Sequence, residues 1–267
     1  MRNLLLLLLS AAMIVFGTSK GFAASTQWHD LGGGKARLLA SLDPVTNEVS
    51  AALEVKLDKG WSTYWRYPGS SGIPPIFDFS GSNGFEVNRI EFPVPTLLGH
   101  SELRYAGYKN SVIFPVSGKV YPGVNSDIHL SLLIGICAEV CIPAQAEMKI
   151  TADELLSSDP LARQIINFSK LTVPSVKDAE AVVLDAQEIK NQHLMIKVKH
   201  RKSSRVPNLF VEGPPTWYLE PAKLMSQTED IAVFSLDVSR APRGTDIAGE
   251  KLRYTLASGS TGIEFTR

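Results

Sequence analysis

The sequence predicts an all-β protein, two β-sandwich domains in series with a short helical segment between them. Three observations carry this. Apolar runs of strand length alternate with polar residues, clusters of Gly, Pro, Asn and Asp separate the runs, and one stretch after Thr151 changes to helical spacing. Short punctuated strands of this kind build sandwiches rather than parallel α/β sheets.

The N-terminus comes first. Met1-Arg2-Asn3 is a short basic start, Leu4 to Phe16 is nearly all apolar, and Gly21-Phe22-Ala23-Ala24 supplies small residues. That order is the grammar of a secretory signal peptide, with cleavage expected after Ala23 or Ala24. The apolar run is shorter than the roughly 20 residues of a comfortable membrane span. No cysteine follows it to carry a lipoprotein anchor. The expected product is soluble and exported to the periplasm; an uncleaved anchor is the alternative.

The first mature domain is expected over residues 25–151. Ala36 to Leu42 and Ser50 to Leu57 alternate loosely; Ser111 to Val116 and Ile128 to Ile136 alternate clearly, with His129, Ser131 and Gly135 interleaving Leu130, Leu132 and Ile134. Tyr67 to Pro75 and Gly81 to Gly84 punctuate the runs. Residues 152–175 form the helical linker. Thr151-Ala-Asp-Glu154 is a capping box, Leu161, Ile165, Ile166 and Phe168 carry helical spacing, Asp159-Pro160 can start a second helix, and Pro174 is the expected stop. From about Ala179 the β texture returns in Ala181 to Leu184, His193 to Val198, Asn208 to Glu212, Ile231 to Val238 and Lys251 to Ala257. Residues 176–267 therefore read as a second, smaller β domain. The basic run Lys197 to Arg205 reads as a solvated hairpin tip, with a docking patch as the alternative.

Composition excludes some functions. With 44% hydrophobic and 20% charged residues the chain is globular rather than disordered. Its 27 basic and 27 acidic residues become 25 and 27 once Arg2 and Lys20 are removed, which gives nucleic acid no electrostatic foothold. The histidines His29, His100, His129, His193 and His200 lack ligand spacing. Gly69-Ser-Ser-Gly72 is no nucleophile elbow, and Gly32-Gly-Gly-Lys35 lacks the earlier glycine of a P-loop.

Chemistry concentrates at Gly135-Ile-Cys-Ala-Glu-Val-Cys-Ile-Pro-Ala-Gln145, which holds the chain's two cysteines. A staple, a metal clip and a redox centre are the candidates. Extended, Cys137 and Cys141 would lie about 13 Å apart at roughly 3.3 Å per residue, whereas a disulfide needs Cα atoms within about 7 Å. The chain must turn at Ala138-Glu139-Val140 if the bridge forms, and Pro143 interrupts pairing just beyond. A five-residue loop gains only about 2 kcal/mol from closure, against about 4.7 for 100 residues. A domain of this size gains little from so local a staple, which favours redox work over a structural role. Two thiolates do not complete a zinc site, although Met148 leaves a soft copper(I) site open. The residues after the pair look extended rather than helical, and Glu139 adds a negative charge. Both features predict thiol pKa values at or above the ordinary range.

Gly60-Trp-Ser-Thr-Tyr-Trp-Arg-Tyr-Pro-Gly-Ser-Ser-Gly-Ile-Pro-Pro75, then Tyr105-Ala-Gly-Tyr108, then Cys137-x-x-x-Cys-Ile-Pro143 resembles the periplasmic N-terminal region of the DsbD family of disulfide reductases, in particular its ScsB-like branch. The resemblance implies an immunoglobulin-like sandwich whose redox disulfide is shielded by a cap loop. It also implies thiol–disulfide exchange without a bound cofactor. Electrons would arrive from a membrane-embedded thiol donor and leave to an oxidised periplasmic client, a thioredoxin-fold or other protein. By position, Cys137 and Cys141 would be the redox pair and Cys141 the sulfur that joins the client. Pro95 to Arg104, including His100, would be the cap-loop region, with Tyr105 and Tyr108 beside the disulfide. Trp65 and Glu139 are further candidates for substrate contact, although Trp61, Tyr64, Trp65 and Tyr67 read first as anchors of a sandwich core, with substrate contact as the alternative. Arg66 would pair with an acidic group or shape the loop. Two features depart from the family pattern: its best-known member spaces the cysteines further apart, and this sequence stops at Arg267 without the membrane and thioredoxin-like domains of full-length members. The donor is therefore expected on a separate chain. A β-sandwich adaptor with a structural bridge and a copper-handling protein remain the rival readings.

Overall fold

A computed structural model describes residues 22–69, 72–100, 104–176, 183–189, 192–200, 205–242, 245, 247 and 250–266. The signal-peptide expectation up to residue 21, residues 101–103 of the cap-loop region and residues 201–204 of the basic run lie outside these.

The first domain has twelve strands among the described residues. In order they are β1 (Phe22–Ser25), β2 (His29–Asp30), β3 (Gly34–Leu42), β4 (Glu48–Leu57), β5 (Ser62–Tyr64) and β6 (Ile76–Asp78). Then come β7 (Phe85–Ile90), β8 (Thr96–Leu98), β9 (Tyr105–Lys109), β10 (Ser111–Val120), β11 (Ile128–Cys137) and β12 (Cys141–Ile150). One sheet runs β1-β3-β4-β10-β7 with β2 beside β3; the other runs β12-β11-β5-β9-β8 with β6 beside β11. The two make the sandwich that the alternation predicts. Leu38, Leu53 and Phe114 from the first sheet meet Leu130, Leu132 and Ile134 from the second in one buried cluster. Phe114 is its aromatic centre, with Phe77, Phe92 and Tyr108 edge-on at 5.3–5.5 Å.

Helices α1 (Ala152–Leu155) and α2 (Pro160–Lys170) follow. Thr151 and Glu154 make the reciprocal capping box, and Asp159 caps α2 by accepting from the Ala162 amide at 3.0 Å. Those bonds, with one from Ser25 at 3.0 Å, hold the Asp159 carboxyl below the usual range, the Ala162 amide being the largest cause. Ala162 and Ile166 pack on Leu39 and Ala52, on the outer face of the first sheet. This explains the loose alternation of β3 and β4: both of their faces are covered, so polar residues are not required at every second position. The helix stops at Lys170, four residues short of the expected Pro174. Its last turn closes through the Leu171 amide to the Phe168 carbonyl at 3.0 Å and the Thr172 hydroxyl to the Ser169 carbonyl at 2.6 Å.

The second domain contains β13 (Ser175–Val176), β14 (Val183–Ile189), β15 (His193–Lys199), β16 (Asn208–Glu212), β17 (Lys223–Gln227), β18 (Ile231–Asp237), β19 (Arg253–Ser258) and β20 (Thr261–Thr266). Its sheets run β13-β20-β19-β16 and β14-β15-β18-β17 around a separate core that includes Leu194, Ile196, Trp217, Phe234, Leu236 and Phe265.

Strands cross two of the expected boundaries. Phe22 to Ala24, read as part of the leader, pair with Ala40 to Leu42. The Ala23 amide donates to the Ser157 carbonyl at 2.8 Å, and Ala23 is fully buried. The small residues that resemble a cleavage site are those that fit this close contact. Ser175, placed in the linker, already pairs in parallel with Ile263 of the second domain.

The domains meet along Trp65-Arg66-Tyr67. The Trp65 ring lies 5.6 Å from Phe210. Arg66 donates through Nε and Nη2 to Glu212 at 2.9 and 2.6 Å, and through Nη2 to Glu264. The Tyr67 hydroxyl accepts from the Leu219 amide at 3.1 Å. The carboxylates hold the Arg66 guanidinium firmly in its charged form, against the opposing effect of burial.

A candidate redox site at a hairpin tip

Strands β11 and β12 are consecutive and antiparallel, and their register ends on Cys137 opposite Cys141. The turn anticipated between them is the exposed triplet Ala138-Glu139-Val140, closed by the Ala138 amide donating to the Val140 carbonyl at 3.2 Å. The Cα atoms of the two cysteines stand 4.0 Å apart and their sulfurs are bonded. Their surroundings differ: Cys137 is buried and Cys141 is exposed.

Strand β5 lies on the other side of β11. Its register sets Cys137 against Ser62 and Ile136 against Thr63, so Tyr64 falls opposite Gly135. Hydroxyls lock this crossing. Thr63 donates to the Gly135 carbonyl at 2.7 Å and Ser62 to the Cys137 carbonyl at 3.0 Å, while the Tyr105 hydroxyl lies 2.8 Å from Ser62 Oγ. Residues 135 and 137 share a face of β11, and Tyr64 projects on that face. The missing side chain at Gly135 lets the Tyr64 ring lie along the strand. Its hydroxyl reaches 3.1 Å from Cys137 Sγ and 3.0 Å from Cys141 Sγ, and donates, since neither bonded sulfur carries a hydrogen. Burial first, and the neighbouring Tyr105 second, raise the Tyr64 pKa, so the phenol keeps its proton throughout the neutral range.

Gly135→Ala tests this arrangement. The new Cβ would sit 2.7 Å from Ile73 Cβ, 2.8 Å from the Ile73 carbonyl oxygen and 2.9 Å from Tyr64 Cδ2, all closer than real contacts. Displacing Tyr64 is expected to cost about 1–3 kcal/mol of stability and to change the reactivity of the reduced thiols. Chemical denaturation and thiol alkylation measure the two.

The other sequence candidates separate. Tyr105 sits at the site, its ring 5.0 Å from Tyr64. Glu139 is exposed on the tip. His100 is exposed on the turn between β8 and β9, whose base pair Leu98–Tyr105 adjoins the site. Tyr108 and Trp65 are corrected. Tyr108 lies three positions after Tyr105, hence on the opposite face of β9. It is buried, and its hydroxyl donates to the Pro93 carbonyl at 2.8 Å. Trp65 is fully buried on the opposite face of the chain from Tyr64. Both are core anchors, and neither faces the disulfide. Tyr64, Ser62, Thr63 and Gly135 are the site residues that sequence reasoning did not select. The signal available was a tyrosine two positions after a serine in a run that also reads as core.

Comparison with known proteins bears on this geometry. The family described as Thiol:disulfide interchange protein DsbD, N-terminal, matches residues 36–153, which include the hairpin and its tyrosine. These residues form a DsbD N-terminal domain. Membership supports a role for the domain in thiol–disulfide interchange. A second match, Domain of unknown function (DUF8393), covers residues 172–267. Among solved structures, the N-terminal periplasmic domain of ScsB from Proteus mirabilis superposes with a TM-score of 0.73 at 20% identity, covering 91% of this chain and 97% of that one. At that identity the likeness speaks for the fold, and it extends across both domains. A search of curated proteins finds no match. No helix among the described residues is long and apolar enough to cross a membrane.

Proposed function

We propose that the protein is a periplasmic electron relay that works by thiol–disulfide exchange at Cys137 and Cys141. The observation that carries this reading is the asymmetric bridge: an exposed Cys141 sulfur at a hairpin tip, a buried Cys137 sulfur behind it, and one phenol hydroxyl against both.

The steps balance. A donor thiolate attacks Cys141 Sγ and Cys137 leaves as thiolate. The donor's second thiolate then releases Cys141, so two electrons have entered as the donor became a disulfide. In the forward half the Cys141 thiolate attacks an oxidised client, the client's leaving sulfur takes up a proton, and a mixed disulfide forms. Cys137 then attacks Cys141, restoring the bridge and releasing a dithiol client. Tyr64 can donate to whichever sulfur carries negative charge, a charge-assisted bond stronger than the one it makes to the disulfide. The donor is a membrane-embedded thiol protein, the client an oxidised protein of the same compartment, and an N-terminal leader directs export to the periplasm.

The test has two parts. Titrated against glutathione, the folded protein is expected to interconvert reversibly between bridge and dithiol. Cys137→Ser, lacking the resolving thiol, is expected to accumulate a mixed disulfide through Cys141 when given an oxidised partner. A bridge that resists reductant until the protein unfolds would leave only the structural reading.

A further inference from the structure

Resting on the exchange reading above, we infer that the second domain braces the redox centre: Glu212 and Glu264, by gripping Arg66, are positioning residues that hold the Tyr64 hydroxyl against the two sulfurs.

Strand β5 is only three residues long, and Tyr64 is its last member. The chain beyond it is tied back to its own domain by the Trp65 amide, which donates to the Ala106 carbonyl at 3.0 Å. The side chains of the next three residues, however, are all held by the second domain: Trp65 by Phe210, Arg66 by Glu212 and Glu264, Tyr67 by the Leu219 amide. After Tyr67 the chain doubles back. A Cβ on Gly72 would lie 2.4 Å from Pro68 Cβ and 2.8 Å from Tyr64 Cδ1, so Gly72 closes one edge of the Tyr64 ring and Gly135 closes the other. The residue after Pro68 also rests on the second domain. Gly69, with φ of +104°, approaches Glu220 so closely that a Cβ there would meet its carboxylate at 2.8 Å. Tyr64 is thus fixed at its backbone exit and along one ring edge by residues next to those that the second domain holds.

The chemistry of the grip suits positioning. Arg66, Glu212 and Glu264 side chains are 20%, 12% and 17% exposed. Apolar residues of the same volume would join the domains at least as strongly, because burying charge offsets much of its attraction. A planar guanidinium forked onto carboxylates supplies orientation instead. Glu212 and Glu264 project from β16 and β20, which flank β19 in one sheet, so they form a rigid frame.

The full-length chain tests this with the pH profile of iodoacetamide alkylation at the reduced cysteines. Tyr64→Phe removes the hydroxyl and is expected to move the midpoint upward by about half a pH unit or more, roughly a threefold loss of thiolate. Glu212→Gln with Glu264→Gln keeps the side-chain shape and is expected to move it the same way. Combined with Tyr64→Phe, the double change is expected to add nothing further, because residues acting through one contact are not additive. A folded double variant with the wild-type profile, or shifts that simply add, would overturn the brace. Should that variant fail to fold, Tyr67→Phe removes only the hydroxyl that bonds the second-domain backbone, at Leu219 among others, and is expected to give a smaller shift in the same direction; an unchanged profile there also counts against the brace. Glutathione equilibration of the wild type separates the two claims. If it fails, the exchange reading falls and the brace with it; if it succeeds while the variants match wild type, only the brace falls.

Discussion

Replacing Cys141 with serine is expected to reduce thiol–disulfide exchange to the rate of buffer alone. Serine cannot form the mixed disulfide, and Cys137, buried behind the tip, cannot replace it as the attacking sulfur. The loss should reside chiefly in activity. The bridge closes a five-residue loop, whose entropy is worth only about 2 kcal/mol, and the β11–β12 ladder from Ile128–Ile150 to Ile136–Ile142 does not depend on it. Circular dichroism and a denaturation curve should therefore remain close to those of the wild type. Reduction of an oxidised test protein measures the activity. Retained turnover would remove Cys141 from the mechanism, and a collapsed fold would return the bridge to a structural role.

Trp65→Ala is expected to have the opposite signature. Its indole is fully buried between the domains, against Phe210 and beneath the Arg66 guanidinium at 4.7 Å. The ring nitrogen has no hydrogen-bond partner, so the expected loss is of packing rather than polar contact. Truncating a buried tryptophan costs about 3–5 kcal/mol, or about 10 °C in Tm for a protein of this size. Calorimetry checks the figure. A Tm within about 2 °C of wild type would mean that Trp65 does not anchor the core.

The sequence was most readable where interactions are local. Ile128 to Ile136 announces itself because one face is apolar and the other carries His129 and Ser131. The capping box at Thr151 and the helix start at Asp159-Pro160 need only neighbouring residues. The turn between the cysteines followed from reach alone. What could not be read depends on distant partners. Ser62–Tyr64 is buried at all three positions, so it shows no alternation to identify it as a strand. Choosing Tyr64 over Trp65 as the residue beside the disulfide requires knowing that β5 pairs with β11 and which face of that pair carries the cysteines. Gly135 settles that, but only after the strands are placed. Arg66 reads from sequence as pairing with an acid or shaping the loop; the acids it meets lie 146 and 198 residues away, where no spacing rule reaches.

One feature of the linker bears on how electrons could be handed over. Only four residues separate the end of α2 at Lys170 from β13 at Ser175, about 18 Å even if fully drawn out. One of them, Thr172, is itself tethered, its carbonyl accepting from the Val94 amide at 2.9 Å. Such a connection offers no leash. On the relay reading proposed above, the sulfur pair would not swing relative to the second domain, and each partner would meet the tip and the second domain as one body.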